Sequence, residues 1–551
     1  KWISSLLTFN DKSVYLHESD LNIAEMTLDD LKFYAPTGTS FPLPKFTEIG
    51  SEISGGVVNQ KLGTATDVSG NGSIIAVSSG DSTPFQSVAV YSYSADISDW
   101  LQLGNKINMG TTDQSFGSSV SLSYDGLRIA VSDSDANNVR GEVYVYDFDA
   151  NTDAWIQVGG TIVGEANTDR AGKSLCLNSA GDILAVGANG NDGGGSLSGH
   201  TRIHKLIGGV WTQIGQDIDG QASGDLSGRS TDLNGSGDTV IVSAQSADIN
   251  GNKSGSARVF RYDDSNDIWN QLGQTLHGER EGDKFSTSVT ISDDGHTIAV
   301  GAPNNYGSGY KSGHARVFAL ANNQWVQKGT DIDGEFENST SGAAIGISGD
   351  GKRLIVGARR HAVDEDTGNV ELYEFDERLS DWVRFSDEIV GKYEDAQAGF
   401  SCQISKDGNT IIIGAPFGEN DYALVLGLSK NHITTMMYHE KDTSSPAKSR
   451  WAIRSNQRIL THTDWYDAEE FEDILPDNLN LKWNISYHQG NDNYPVRSDV
   501  QAVKSIGKYI YKLNNRGSLS IYKVHGVKHI PWQTINIGDS TEYDGDRLWE
   551  I

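Results

Sequence analysis

Trp211-Thr-Gln-Ile-Gly-Gln-Asp-Ile218 is one copy of a phrase that returns along most of the chain. Its first five residues recur as Trp100-Leu-Gln-Leu-Gly104, Trp155-Ile-Gln-Val-Gly159, Trp269-Asn-Gln-Leu-Gly273 and Trp325-Val-Gln-Lys-Gly329, and more loosely as Trp382-Val-Arg-Phe-Ser386. The six tryptophans stand 55, 56, 58, 56 and 57 residues apart. A period of that length marks a repeat architecture, each unit one supersecondary element that buries its apolar face only against its neighbours.

A second phrase lies between the tryptophans. Ser121-Leu-Ser-Tyr-Asp-Gly126-Leu-Arg-Ile-Ala-Val131 matches Thr290-Ile-Ser-Asp-Asp-Gly295-His-Thr-Ile-Ala-Val300, and its turn glycine returns as Gly72, Gly181, Gly237, Gly351 and Gly408, seven copies in all. An alternating run, an Asx-Gly turn and a β-branched run read as a hairpin. A third run follows after a loop, as in Ser256-Ala-Arg-Val-Phe260 and His314-Ala-Arg-Val-Phe318. Its alternation of apolar and polar residues is that of a strand. The Trp phrase is the fourth strand. Each unit is then a four-stranded antiparallel meander, the blade of a propeller.

Seven hairpins but six tryptophan strands leave one blade short. No such strand follows Ala423-Leu-Val-Leu426, but Phe46-Thr-Glu-Ile-Gly-Ser-Glu-Ile53 repeats the phrase ahead of the first hairpin, with Phe for Trp. The expected fold is all-β: a seven-bladed β-propeller over residues 45–430, closed by the N-terminal strand 46–53 in the last blade. Closure of this kind leaves no open sheet edge. Residues 1–44 and 431–551 fall outside the repeat and are expected to form one small β-rich accessory module. Hairpins are expected around Asn10-Asp11-Lys12 and over 508–523, short helices over 19–33 and 463–475, and a linker over 442–448.

Phe116-Gly-Ser-Ser-Val120, strand ends such as Gly301-Ala-Pro303 and Gly414-Ala-Pro416, and third strands such as Gly141-Glu-Val-Tyr-Val-Tyr146 resemble the FG-GAP repeat of integrin α-chain heads and other extracellular propellers. The resemblance covers about residues 45–430. It implies extracellular or surface recognition and adhesion, with calcium bound in some members. The family's calcium loop, an Asp-x-Asp-x-Asp-Gly run between the first two strands, is absent; the corresponding turn, Ser123-Tyr-Asp-Gly126, is too short to wrap an ion.

The formal charge is −30, from 44 basic and 74 acidic residues. Such a balance argues against nucleic acid and anionic membranes as partners. No run of about 18 apolar residues is present, so no membrane span is expected. Cys176 and Cys402 occupy adjacent positions of the first strand in blades three and seven, which puts them on opposite faces and beyond disulfide reach.

Long loops on a rigid frame are where function sits, and the longest here join the second and third strands. They offer Asn304, Asn305, Tyr306 and Tyr310 in blade five, and Arg359, Arg360 and His361 in blade six. Amides and aromatics of this kind suit glycan or peptide recognition. Asp133, Asp135 and Asn137, and likewise Asp248, Asn250 and Asn252, place oxygens at alternate positions, the opening spacing of a calcium loop. Calcium is therefore the one cofactor to consider. His200 and His314 share one repeat position, so copying accounts for both. No nucleophile elbow, phosphate loop or Cys/His cluster is visible.

The leading expectation is a non-enzymatic surface protein that binds a protein or glycan through the loop face. A structural subunit of a filament, sheath or virion-like assembly, meeting its copies through 1–44 and 431–551, is the second. A propeller lyase or glycosidase is the third, and it would need carboxylates converging in the central channel.

Overall fold

In this computed structural model the described residues are 46–55, 60–80, 86–108, 115–360, 366–377 and 379–428, with short strands within 2–17 and 437–536. The chain divides into one compact unit over Leu43–Ser429 and a second made of residues 1–42 and 430–551.

The larger unit is a ring of seven antiparallel blades. Each blade runs from an innermost strand to an outer one, as in blade three: Ala171–Leu177, Ile183–Ala188, His200–Ile207 and Val210–Gln213. In blades two to six a further two-residue segment, Ile218–Asp219 in blade three, turns back to pair with the third strand. Blade seven takes its outer strand from the start of the chain. Phe46–Glu48 pairs with Tyr422–Leu428 in the register Phe46↔Leu428, Thr47↔Gly427 and Glu48↔Leu426, and Ile53–Ser54 completes it as Ile53↔Ala423. The expected closure is observed.

Three sets of contacts hold the ring, and each follows from a repeated phrase. Seven apolar clusters fill the seven joints between neighbouring blades. The joint between blades seven and one packs Ile53, Ile412 and Val425 against Leu62, Ile75 and Trp100. Second strands are therefore buried on both faces, and runs such as Ile74–Ser79 are apolar or small throughout.

At the rim, every repeat tryptophan donates its indole N–H to a carbonyl of the preceding blade. Trp100 reaches Ile49 at 2.7 Å, Trp155 Leu103 at 2.9 Å, Trp211 Val158 at 3.1 Å, Trp269 Ile214 at 3.0 Å, Trp325 Leu272 at 2.9 Å and Trp382 Lys328 at 2.8 Å. The glycine after each such carbonyl is required twice over. Gly215 has φ +67°, and a Cβ there would lie 2.5 Å from Trp269 Cδ1. The seventh joint departs in a matched way: Phe46 replaces the tryptophan, Ser386 replaces the glycine, and Phe46 packs edge-on against Phe385 at 6.4 Å. Ser386 is 2% exposed and fills the room that a smaller ring leaves.

Around the axis, the hairpin turns form a closed circle of backbone hydrogen bonds of 2.8–3.1 Å. Gly70 donates to Tyr124, Tyr124 to Ser179, Ser179 to Gly235, Gly235 to Asp293, Asp293 to Gly349, Gly349 to Lys406, and Asp407 back to Gly70.

In the second unit, Thr8–Phe9 pairs with Lys12–Ser13 and Trp2–Ile3 with Leu16–His17, so the expected hairpin about residues 10–12 forms. Ala502–Ile506, Tyr509–Leu513, Ser518–His525 and Lys528–Asn536 make a four-stranded meander, and Met437–Lys441, Ser449–Ser455 and Arg458–His462 a three-stranded one. The helices expected at 19–33 and 463–475 and the linker at 442–448 lie outside the described residues. Among the described residues no helix is long and apolar enough to cross a membrane.

Candidate functional site

The innermost strands enclose a central channel with a cavity of about 260 Å³. One repeat position, the second-last of the inner strand, faces it in six blades: Asp67, Ser121, Cys176, Asp232, Thr290 and Gln403. These side chains act as staples between blades. Asp67 accepts the N–H of Leu122 at 2.6 Å, Ser121 that of Leu177 at 3.0 Å, and Asp232 that of Ile291 at 2.9 Å. Asp232 also takes bonds from the Cys176 thiol at 3.0 Å and the Thr290 hydroxyl at 2.9 Å.

Burial lifts the Asp67 carboxyl to about 6 against the pull of its backbone donors, and burial with Asp232 lifts the Cys176 thiol. Lys406 lies 3.2 Å from Asp293. Burial opposes its charge, but Asp232 and Asp293 outweigh burial and raise its pKa. Every channel acid here thus has donors or a cation, an arrangement that stitches the ring. Cys176 and Cys402 are both free thiols.

The residues expected on the loop face divide by role. Tyr306 and Tyr310 are 41% and 49% exposed and stack edge to face at 5.3 Å, with Lys311 Nζ 5.2 Å above the Tyr310 ring. Asn304 donates its backbone N–H to Asp283. Asn305 is buried; its amide reaches Asp283 at 3.2 Å and its side-chain oxygen accepts from Gly307 at 2.7 Å, so it braces the loop from beneath. Arg360 is exposed and 3.8 Å from Asp366. His361 lies outside the described residues.

The expected calcium ligands are engaged with protein. Asp133 is buried and accepts the Ser115 hydroxyl at 2.7 Å, while Asp135 lies 3.5 Å from Arg170. Asn137 sits in a left-handed turn at φ 54°. Asp248 accepts the Lys253 N–H at 2.8 Å, Asn250 donates to Gly278 at 2.7 Å, and the Asn252 carbonyl accepts from Gly282.

Arg359, expected on the loop face, is joined by two cations that the sequence reading missed, Arg229 and Lys284, at the end of the ring where the inner strands begin. Arg229 precedes the inner strand of blade four by two residues and Lys284 sits on the connection into blade five. Arg359 follows the second strand of blade six, Arg353–Ala358, and lies over the Phe400 ring of blade seven at 4.2 Å. Lys284 N–H bonds the Lys253 carbonyl, which ties that connection to the long loop of blade four.

Arg229 and Arg359 each bury an Nε with no hydrogen-bond partner. Burial, and then like charge, depresses them all: Arg229 feels Arg170, Arg359 feels Arg229 and falls to about 10, and Lys284 feels Arg229, Lys253 and Lys311. A desolvated cation without a counter-ion is costly. In a chain of net charge −30, three such groups from blades four to six gather at one end of the ring, with Arg170 of blade three, paired to Asp135, beside Arg229. They share no motif, so only the closed ring reveals that they lie near one another.

The sequence reading also passed over the surroundings of His200 and His314. Each is 1% exposed and stands beside acids contributed by the same two flanking segments. Burial, and secondarily Arg316, holds His314 down to about 4, so its imidazole is neutral at pH 7.

The chain is a seven-bladed β-propeller. No protein-family model matches it, and no curated protein does. Among solved structures it is similar to the hydrazine synthase of Kuenenia stuttgartiensis at 14% identity and a TM-score of 0.44, covering 72% of this chain and 99% of that one. It is similar also to the Cps50 (Swd1) β-propeller domain of Myceliophteria thermophila at 10% identity and a TM-score of 0.43, covering 70% and 100%. Neither likeness is close enough to bear on what this chain does.

Proposed function

We propose that this chain is a non-enzymatic recognition protein of the cell or particle surface, allied to FG-GAP adhesion propellers, whose loop face binds an acidic glycan. The observation that carries the reading is the pair of guanidiniums, Arg229 and Arg359, whose buried Nε atoms have no partner. Guanidinium matches carboxylate and sulfate in a bidentate fork. Lys284 adds charge beside them, and the exposed Tyr306–Tyr310 pair offers flat apolar surface on which a sugar ring stacks. A glycan rather than a protein partner suits the combination of a narrow cationic mouth with a small aromatic platform.

The test is an array of sulfated, uronate-bearing and neutral glycans probed with the full chain. Each charge-assisted bond contributes about 1.5–3 kcal/mol, so Arg229→Ala and Arg359→Ala should each weaken binding of acidic glycans by about ten-fold or more. Binding should also weaken with added salt. Equal binding to neutral glycans, or affinity unchanged in the double variant, would overturn the reading.

A further inference from the structure

Two places on the propeller gather an imidazole and two carboxylates about one centre, with a third carboxylate close by. In blade three, His200 opens the third strand and pairs across the ladder with Asp219. Its Nδ1 stands 3.5 Å from Asp217 Oδ2, 3.9 Å from Glu165 Oε2 and 4.0 Å from Asp219 Oδ1. Blade five repeats the arrangement: His314 Nδ1 is 3.6 Å from Asp331 Oδ2 and 3.8 Å from Asp333 Oδ1. Ligand atoms of Glu279, His314 and Asp331 lie within 4.8 Å of one another, as do those of Glu165, His200 and Asp217. Both histidines are 1% exposed, yet neither ring nitrogen of either has a hydrogen-bond partner of good geometry, the shortest approach being His200 Nδ1 to Asp217 at 3.5 Å. Such a buried, unpartnered donor set is uncommon in a folded chain.

The spacing is that of ligands around an ion. Ligands at about 2.1 Å in a tetrahedron are separated by about 3.4 Å, close to the 3.5 and 3.6 Å from each imidazole to its nearest carboxylate and longer than a good hydrogen bond. The charge agrees. Arg202 Nη1 lies 3.5 Å from Glu165 and Arg316 Nη1 3.6 Å from Glu279. One guanidinium against three carboxylates leaves two negative charges at each place, the complement of one divalent ion.

Other blades provide the contrast. In blade four, Ser256, Gln221 and Thr275 stand where blades three and five have the histidine, the glutamate and the first aspartate. The acids are all lost, His277 stands where the second aspartate was, and the arginine is kept as Arg258. Blade six keeps acids at Glu335 and Glu388, adds Glu371, and has Asn369 in place of histidine. There Arg384 enters the cluster, 2.9 Å from Glu335, 2.6 Å from Glu371 and 3.7 Å from Glu388. The matching residues in blades three and five are Gln213 and Gln327, neutral amides that reach one oxygen each, of Asp217 and Asp331, at 2.7 Å. Where the histidine is absent, the glutamate and first aspartate are either gone, as in blade four, or neutralised by an inserted arginine, as in blade six.

The geometry points to a divalent transition-metal ion, of the Zn²⁺ or Mn²⁺ class, bound in each of blades three and five. Its ligands are His200, Asp217 and Glu165 in one, and His314, Asp331 and Glu279 in the other, with Asp219 and Asp333 beside the imidazoles. One imidazole with carboxylates selects these ions over Ca²⁺, which takes oxygen ligands alone. Glu165 and Glu279 lie on the connections entering their blades, so each ion clips a connection to the third strand. The carboxylates face solvent, with side chains 29–48% exposed, so the ion enters without unfolding. The inference is independent of the glycan reading.

The test uses the full chain stripped with a chelator and dialysed. Calorimetric titration with Zn²⁺ and Mn²⁺, with bound metal counted by elemental analysis, should give two ions per chain and a raised melting temperature. Ca²⁺ and Mg²⁺ at the same concentration should give neither effect. His200→Gln and His314→Gln should each retain one ion and the double variant none, with circular dichroism confirming the fold. Asp217→Asn with Asp331→Asn provides a second pair if either histidine variant misfolds. Metal content unchanged in the folded double variants would show adventitious binding by an acidic surface and overturn the inference, as would the absence of binding to the parent chain.

Discussion

The seventh joint of the ring allows a test that a single substitution cannot give. In six joints an indole bonds the carbonyl of the preceding blade and a glycine leaves room for it; in the seventh, Phe46 and Ser386 replace both. Phe46→Trp alone forces an indole against the Ser386 side chain. The matching contact elsewhere, a Cβ on Gly50, would lie 2.5 Å from Trp100 Cδ1, far inside the ~3.5–4.0 Å of a relaxed carbon contact. Overpacking of this kind costs about 1–3 kcal/mol.

Ser386→Gly alone loosens the backbone at about 0.5–1 kcal/mol. Together the two changes rebuild the joint of the other blades. The clash is relieved, and the new N–H finds the Phe385 carbonyl, contributing about 0.5–1.5 kcal/mol. The coupling energy from a double-mutant cycle should therefore be favourable by about 1–3 kcal/mol or more. It is read from guanidinium midpoints followed by circular dichroism, since a new tryptophan disturbs fluorescence. Additivity within about 0.5 kcal/mol would show that the two departures are unrelated, and the rim tie would lose its explanation.

Other outcomes follow from the same contacts. Trp269→Phe leaves the buried Ile214 carbonyl without its 3.0 Å donor and should cost about 1–3 kcal/mol in thermal unfolding; an unchanged melting temperature would count against the tie. For Asp67, burial raises the folded-state pKa from 3.8 to about 6, so the folded chain holds this proton more tightly than the unfolded one. Its contribution is greatest below about pH 3.8 and falls as pH rises through about 6. Asp67→Asn should accordingly gain stability relative to the parent between pH 4 and pH 7, and a relative loss over that window would contradict the assignment. The Cys176 thiol, lifted by burial and by Asp232, should resist alkylation in the folded chain at mildly alkaline pH; labelling at the rate of a free thiol would mean that the channel is open and unstitched.

What could be read from the sequence was whatever the repeat copies. The Phe46 phrase gave away the closing strand because six other phrases defined what was missing. Even its imperfection was informative, since the loose ending at Ser386 belongs to the joint where Phe46 stands. The channel staples Asp67, Cys176 and Asp232 share a repeat position but not a residue type, so their common role appears only when the strands stand side by side. Arg170, Arg229, Lys284 and Arg359 occupy four blades without a common phrase, and their convergence is a property of closure alone. The alternating oxygens of Asp133, Asp135 and Asn137 suggested calcium, but short polar side chains in turns bond local backbone and hydroxyls as readily. His200 and His314 were read as copies, which they are. Their acids, 17, 19 and 35 residues away in sequence, were copied with them and come into view only when the blade is folded.

The closed ring underlies every statement about the mouth and the joints, and its direct measurement is the register of the first strand against the last. Residues paired across an antiparallel ladder have Cα atoms about 4.5–5.5 Å apart, within disulfide range. In a chain with Cys176 and Cys402 replaced by serine, Thr47→Cys with Gly427→Cys should oxidise to an intramolecular disulfide, because Thr47 pairs with Gly427. Thr47→Cys with Leu426→Cys, one residue out of register, should not. Crosslinking of the second pair in preference to the first, or of neither, would contradict the closure.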